Sequence, residues 1–139
     1  MARRPAEPRG EFSKDARVRK RREYRHIQGV GERVSLPHFV FVLVARPAPN
    51  PSGARLGITA SRKVGSAVVR NRCKRLVREA FRASRELFPA DIDVLVIVKR
   101  ASEGQSLADV VEEWRKAEPA LRRRIAEARR SLGATRSES

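Results

Sequence analysis

Between Arg62 and Arg85 the chain carries Arg62, Lys63, Arg70, Arg72, Lys74, Arg75, Arg78, Arg82 and Arg85, against Glu79 as the one acid. Guanidinium and ammonium groups at this density hold phosphates. They supply neither a nucleophile nor a general base at neutral pH. Elsewhere the sequence has no Cys/His cluster at zinc spacing, no phosphate-cradling glycine loop and no serine in a nucleophile elbow. His26 lacks a Cys or His neighbour at ligand spacing, so a surface or hydrogen-bonded residue is expected there rather than a metal ligand. No catalytic side chain and no protein-held metal are therefore expected. Any catalysis involving this chain must draw its chemistry from another molecule.

The bulk charge points the same way. With 32 Lys and Arg against 16 Asp and Glu, the formal charge is +16, a self-repulsion best tolerated when a polyanion neutralises it. Nucleic acid is the first candidate and an anionic membrane surface the second. A membrane span needs roughly 20 consecutive apolar residues, whereas the longest run here is Phe39 to Ala45. No apolar stretch follows the basic N-terminus in the manner of a signal peptide, so a cytoplasmic protein is expected. Cys73, the only cysteine, fits a reducing compartment and reads as a buried structural thiol.

The cations need elements to hold them. At helical spacing Val69, Cys73, Leu76, Val77, Ala80 and Phe81 share one stripe, and Asn71, Lys74, Arg75, Arg78 and Arg82 lie opposite. One side is suited to a core and the other to phosphates. Gly65 breaks the preceding strand and Ser66 can cap the helix, although Val69 stands where a capping box would have Glu or Gln. Phe88-Pro89-Ala90-Asp91 ends it. Strands are expected at Phe39 to Val44 and at Arg55 to Ser61, separated by the proline-rich loop 46–53. A third, Ile92 to Lys99, is apolar on both alternating sets, as a central strand covered on both faces would be. Strand, helix and strand suggest a parallel crossover.

The ends are simpler. Residues 1–16 read as a basic, disordered tail, either solvated or an RNA-contacting arm. A short basic helix follows over Arg17 to Gln28, with Val18, Tyr24 and Ile27 as its sparse apolar edge and Gly29 and Gly31 at its end. Ser106 can cap a helix from Leu107 with Val110, Val111 and Trp114 at core spacing. Pro119 then starts a separate helix or kinks this one. Arg122, Arg123, Arg124, Arg129 and Arg130 read as solvated or RNA-facing, with fraying from Gly133. The expectation is one domain over 17–117, with 118–139 as a basic helical extension.

The run from Leu56 to Arg82, with Ser61-Arg62-Lys63-Val64-Gly65 preceding Arg70-Asn71-Arg72, resembles the signature of the bacterial ribonuclease P protein component. The resemblance covers roughly residues 17 to 117. It implies an α/β (α+β) two-layer sandwich of α-β-β-β-α-β-α order, similar to a domain of some ribosomal proteins. The β-α-β crossover of that family is left-handed, against the general rule. It further implies a subunit that binds a large catalytic RNA and the 5′ leader of precursor tRNA, while the RNA, with bound Mg2+, removes the leader. By this resemblance the catalytic RNA contacts Arg72, Arg75 and Arg78, with Arg70, Asn71 and Lys74 nearer the substrate and Arg62, Lys63 and Arg82 extending the surface. The leader groove would run over the sheet beside the first helix, with Tyr24, Lys74 and Phe39 as contacts, Phe39 reading equally as core. Gln28 stands where many relatives have a second aromatic and Val42 where some have tyrosine, which implies weaker base stacking. No membrane and no stable protein partner are implied. The alternatives are a ribosomal or ribosome-assembly protein without a role in cleavage and a DNA-binding regulator, the latter lacking a convincing helix before the basic one.

Overall fold

The computed structural model describes residues 21–99 and 105–138, and the side chains of all of these except Tyr24 and 134–138. The expected tail 1–16, the first turn of the N-terminal helix with Val18, and the turn 102–104 lie outside the described residues. The element order is α1 (Arg21–Val30), β1 (Glu32–Ser35), β2 (Phe39–Ala45), β3 (Arg55–Ala60), α2 (Ala67–Ala83), β4 (Ile92–Val98), α3 (Leu107–Lys116) and α4 (Glu118–Glu138). The strands form one mixed sheet in the order β1-β2-β4-β3. β1 and β4 flank β2 in antiparallel fashion, and β3 runs parallel to β4 with α2 as the crossover. The doubly apolar β4 thus takes the interior place its composition demands.

One sheet face carries the main core. Phe39, Phe41 and Leu43 of β2 and Val94, Val96 and Val98 of β4 meet Cys73, Val77, Ala80 and Phe81 of α2. α3 adds Val110 and Trp114. The Trp114 ring stands edge-on to Phe39, Phe41 and Phe88 at centroid distances of 5.9, 5.0 and 6.1 Å, a geometry that aromatic quadrupoles favour. α3 starts in a full capping box, since Ser106 Oγ accepts from Asp109 N–H and Asp109 Oδ2 accepts from Ser106 N–H. On the opposite face α1 crosses part of the sheet and buries Ile27 against Val42 and Leu95.

Three expectations need correction. No boundary in the packing falls at residue 117, because Leu121, Ile125 and Ala128 of α4 are buried in the same core and Leu132 packs against it. α4 does not fray from Gly133; the helix continues to Glu138. α2 stops at Ala83, earlier than Phe88: Ser84 Oγ bonds back to the Ala80 carbonyl at 2.6 Å, and a 3-10 turn, Arg85–Leu87, turns Leu87 and Phe88 into the core. β1 is a strand that residue patterns alone did not locate. Among the described residues no helix is long and apolar enough to cross a membrane.

α4 is also clamped at its middle. Arg129 donates from Nε and Nη2 to the two oxygens of Asp91 at 2.9 and 2.8 Å, and this hydrogen bonding holds the Asp91 carboxyl below its ordinary range against the opposing effect of burial. A carboxylate with a depressed folded pKa stabilises the fold fully above the unfolded aspartate range and loses that contribution as pH falls through the folded value. Asp91→Asn should therefore lower the melting temperature by a few degrees at neutral pH, the size of a half-exposed pair of about 1 kcal/mol or less. In strong acid the two proteins should melt together. A difference that persists at a pH where the Asp91 carboxyl is protonated in both the folded and the unfolded wild type would contradict this.

Candidate RNA interface

The basic surface is organised by two short caps. Ser61 Oγ accepts from Lys63 N–H at 3.3 Å and shapes a 3-10 turn over Arg62–Val64, which buries Val64 and leaves Arg62 and Lys63 exposed. Ser66 Oγ accepts from Val69 N–H at 3.3 Å and starts α2. Between them Gly65 has φ +153, and a Cβ there would stand 2.9 Å from Val69, so only glycine allows so short a join. Arg70 Nε donates to the Gly65 carbonyl at 3.2 Å and ties the helix back to this join.

α2 then presents its cations in three rows. With Cys73 and Val77 facing the sheet, Asn71, Arg75 and Arg82 form the exposed crest. Arg70, Lys74 and Arg78 run along one half-buried flank. Arg72 and Glu79 are exposed on the other, and this second flank borders α3: the carbonyl of Ala83, on the same side, accepts from Arg115 Nη2 at 3.3 Å. The Arg70-Lys74-Arg78 flank accordingly faces away from α3, toward the β3 edge. The two expected sets of cations do not separate along these rows: Arg78 shares a flank with Arg70 and Lys74, Asn71 shares the crest with Arg75, and Arg72 stands on the other flank.

The second sheet face can be read row by row from the strand register. Arg55, Asp93 and Val44 form one row, and Gly57, Leu95, Val42 and Arg33 the next, covered by Ile27. The third row, Thr59, Ile97, Val40 and Ser35, is left open by the described elements, its apolar members partly buried beside the Ile27 cluster. It lies at the end of β3 that leads directly into Ser61, Arg62 and Lys63. Lys99 borders it, its Nζ donating to Ser35 Oγ and the Leu36 carbonyl at 3.2 and 2.8 Å.

Phe39 must be removed from this surface. Its ring is 0% exposed and lies in the main core against Trp114, on the face opposite to α1, so no base can stack on it. Strand alternation carries Val40 to the α1 side, and that signal would have identified the open row. Tyr24 lies on α1 one turn before Ile27, and Lys74 lies on α2, so the expected leader contacts are drawn from separate elements rather than one cluster. His26 is exposed. Among the described residues no group of three or more His, Cys, Asp or Glu could hold a metal ion. The buried acid Asp93 is instead met by Arg55, and Glu113 by His38, whose backbone N–H and ring Nδ1 both lie 2.9 Å from its carboxylate.

A family model described as Ribonuclease P matches residues 12–128. The ribonuclease P protein component of Syntrophus aciditrophicus (strain SB) is 41% identical over 102 residues, spanning 73% of this chain and 83% of the relative. That of Desulfovibrio desulfuricans is 38% identical over 107 residues, 77% of this chain and 81% of the relative. Among solved structures, the RNase P protein from Thermotoga maritima is similar with a TM-score of 0.63 and 31% identity, covering 72% of this chain and 92% of that one. A Staphylococcus aureus RNase P protein mutant with defective mRNA degradation activity gives 0.67 and 28%, covering 77% and 89%. The matched span takes in the sheet, the basic helix and α4 through its last buried residue, and with it the whole constellation described above: the chain belongs to the ribonuclease P protein family.

Proposed function

We propose that the chain acts as a positioning subunit, holding the catalytic RNA of ribonuclease P through α2 and the 5′ leader of precursor tRNA along the open sheet row. As a family member it is the protein component of a ribonucleoprotein endoribonuclease in tRNA processing, with RNA as its partner. The observation that carries the finer reading is the rigid cationic helix: Arg72, Arg75 and Arg82 are exposed on a helix whose back, at Cys73, Val77, Ala80 and Phe81, is locked in the core. Cations fixed in this way neutralise RNA phosphates at little ordering cost and release counterions.

The leader reading is supported by the open row of Thr59, Ile97 and Val40, with Arg62, Lys63 and Lys99 at its margins. The described residues of this row offer aliphatic contact rather than a stacking ring, which suits a leader held by its backbone with little base preference. Magnesium belongs with the RNA and substrate phosphates in this reading, since Mg2+ favours phosphate oxygens and retained waters with one or two carboxylates at most. When bound there, it supplies the activation of the attacking water. We place this work in the cytoplasm. Reconstitution with a ribonuclease P RNA at limiting magnesium, scoring precursor cleavage with and without the protein, tests the proposal. A ribosome-assembly protein would leave that cleavage unchanged.

A further inference from the structure

Beneath the N-terminal turn of α1 lies a chain of charges. Arg55 donates from Nε and Nη2 to Asp93 Oδ1 and Oδ2 at 2.9 and 2.8 Å, a bidentate pair between register partners of β3 and β4. Its third nitrogen, Nη1, reaches Glu23 Oε2 on α1 at 3.2 Å. The Asp93 side chain is only 7% exposed, and a carboxylate so enclosed requires a partner. Nε and Nη2 of Arg55 already meet that requirement. The bond to Glu23 is therefore surplus to satisfying Asp93, and it is the part that needs an explanation.

The position of α1 supplies one. Among the described side chains of α1 Ile27 is the buried one, against Val42 and Leu95, and a hold concentrated at one point lets a helix pivot about it. The following residue, Gly31, fixes the exit: its N–H donates to the Ile27 carbonyl at 2.8 Å, and a Cβ on it would collide with Val42. The Glu23–Arg55 bond adds a fixed point at the other end, four residues or about 6 Å along the axis from Ile27. These described contacts help to set how α1 lies across the sheet, and hence how much of the Thr59-Ile97-Val40 row stays open beside it.

We infer that Arg55, anchored by Asp93, is a positioning residue for substrate: through Glu23 it sets the angle of α1 on the sheet and so the width of the channel for the precursor leader. The inference rests on the leader reading above. With all three donor-bearing nitrogens engaged within the protein, Arg55 acts through α1 rather than by touching RNA.

The test uses the full chain assembled with a ribonuclease P RNA and compares Kd for a precursor tRNA with Kd for the same tRNA lacking its leader. For Glu23→Ala the gain in affinity due to the leader should fall on the order of tenfold, the scale of one hydrogen bond to a charged group. Leaderless affinity and assembly with the RNA should stay at wild-type values while the melting temperature falls by no more than a few degrees; a merely structural loss would weaken binding with and without the leader alike. Arg55→Lys, which retains the charge but not the fork, should move the same ratio in the same direction. If the wild-type protein gives no leader-dependent gain, the leader reading itself fails. If the wild type gives the gain and Glu23→Ala retains it in full, the positioning role alone is overturned.

Discussion

Replacing Arg72, Arg75 and Arg78 together by glutamine should flatten the salt dependence of binding to the catalytic RNA. Each phosphate contact contributes about 0.7 to 0.9 to the slope of log K against log salt, so three contacts remove roughly 2 to 3. Between about 50 and 200 mM salt the wild type should then lose some twenty- to fortyfold more affinity than the variant. The three residues suit this test because they draw on both flanks and the crest of α2 while the buried stripe stays untouched, so the fold should be retained. Filter binding or fluorescence titration over a salt series reads the result. An unchanged slope with intact affinity would mean that this face is only solvated.

Trp114→Ala should be the most damaging single change to stability. The ring is 0% exposed and joins Phe39 and Phe41 of the sheet to Phe88 after α2, so its loss opens a cavity where three elements meet. A cost of about 3–5 kcal/mol is expected, a large part of the roughly 5–15 kcal/mol of a typical domain. The melting temperature should fall on the order of 10–20 °C. Trp114→Phe should be much milder, because the indole N–H has no hydrogen-bond partner among the described residues and only volume is removed. Calorimetry on the three proteins decides the matter; a midpoint for the alanine variant within a few degrees of wild type would show that Trp114 is not the keystone of the core.

The parts of this molecule legible from sequence are those governed by one local period. α2 announced both its faces because seventeen residues repeat an apolar stripe against cations, and β4 announced its interior place through an unbroken apolar run. β2 was ambiguous for the same physical reason: Phe39 to Ala45 is apolar at every position, so alternation says that the two faces differ without saying which meets the larger core. By sequence Phe39 suits the core and the groove equally, and only the packing against Trp114 decides. β1 is four residues, Glu-Arg-Val-Ser, with a single buried member, Val34, too short for any period. In α4 the spacing of Leu121, Ile125, Ala128 and Leu132 was present but outweighed by the surrounding arginines, several of which serve as structural partners of Asp91, Glu118 and Glu127. Pairs such as Arg55 with Asp93 or His38 with Glu113 join residues 38 and 75 apart, and no local pattern encodes them.

The most direct measurement of the central claim, that this chain positions RNA for chemistry performed by RNA, is single-turnover cleavage of precursor tRNA by a ribonuclease P RNA at limiting magnesium, with wild-type protein, with the Arg72, Arg75 and Arg78 variant, and without protein. Cleavage at the mature 5′ end should be strong with the wild-type chain, weak with the variant and weakest with RNA alone, the three converging as magnesium is raised. Equal cleavage with and without the protein at every magnesium concentration, or cleavage of the precursor by the protein in the absence of the RNA, would contradict it.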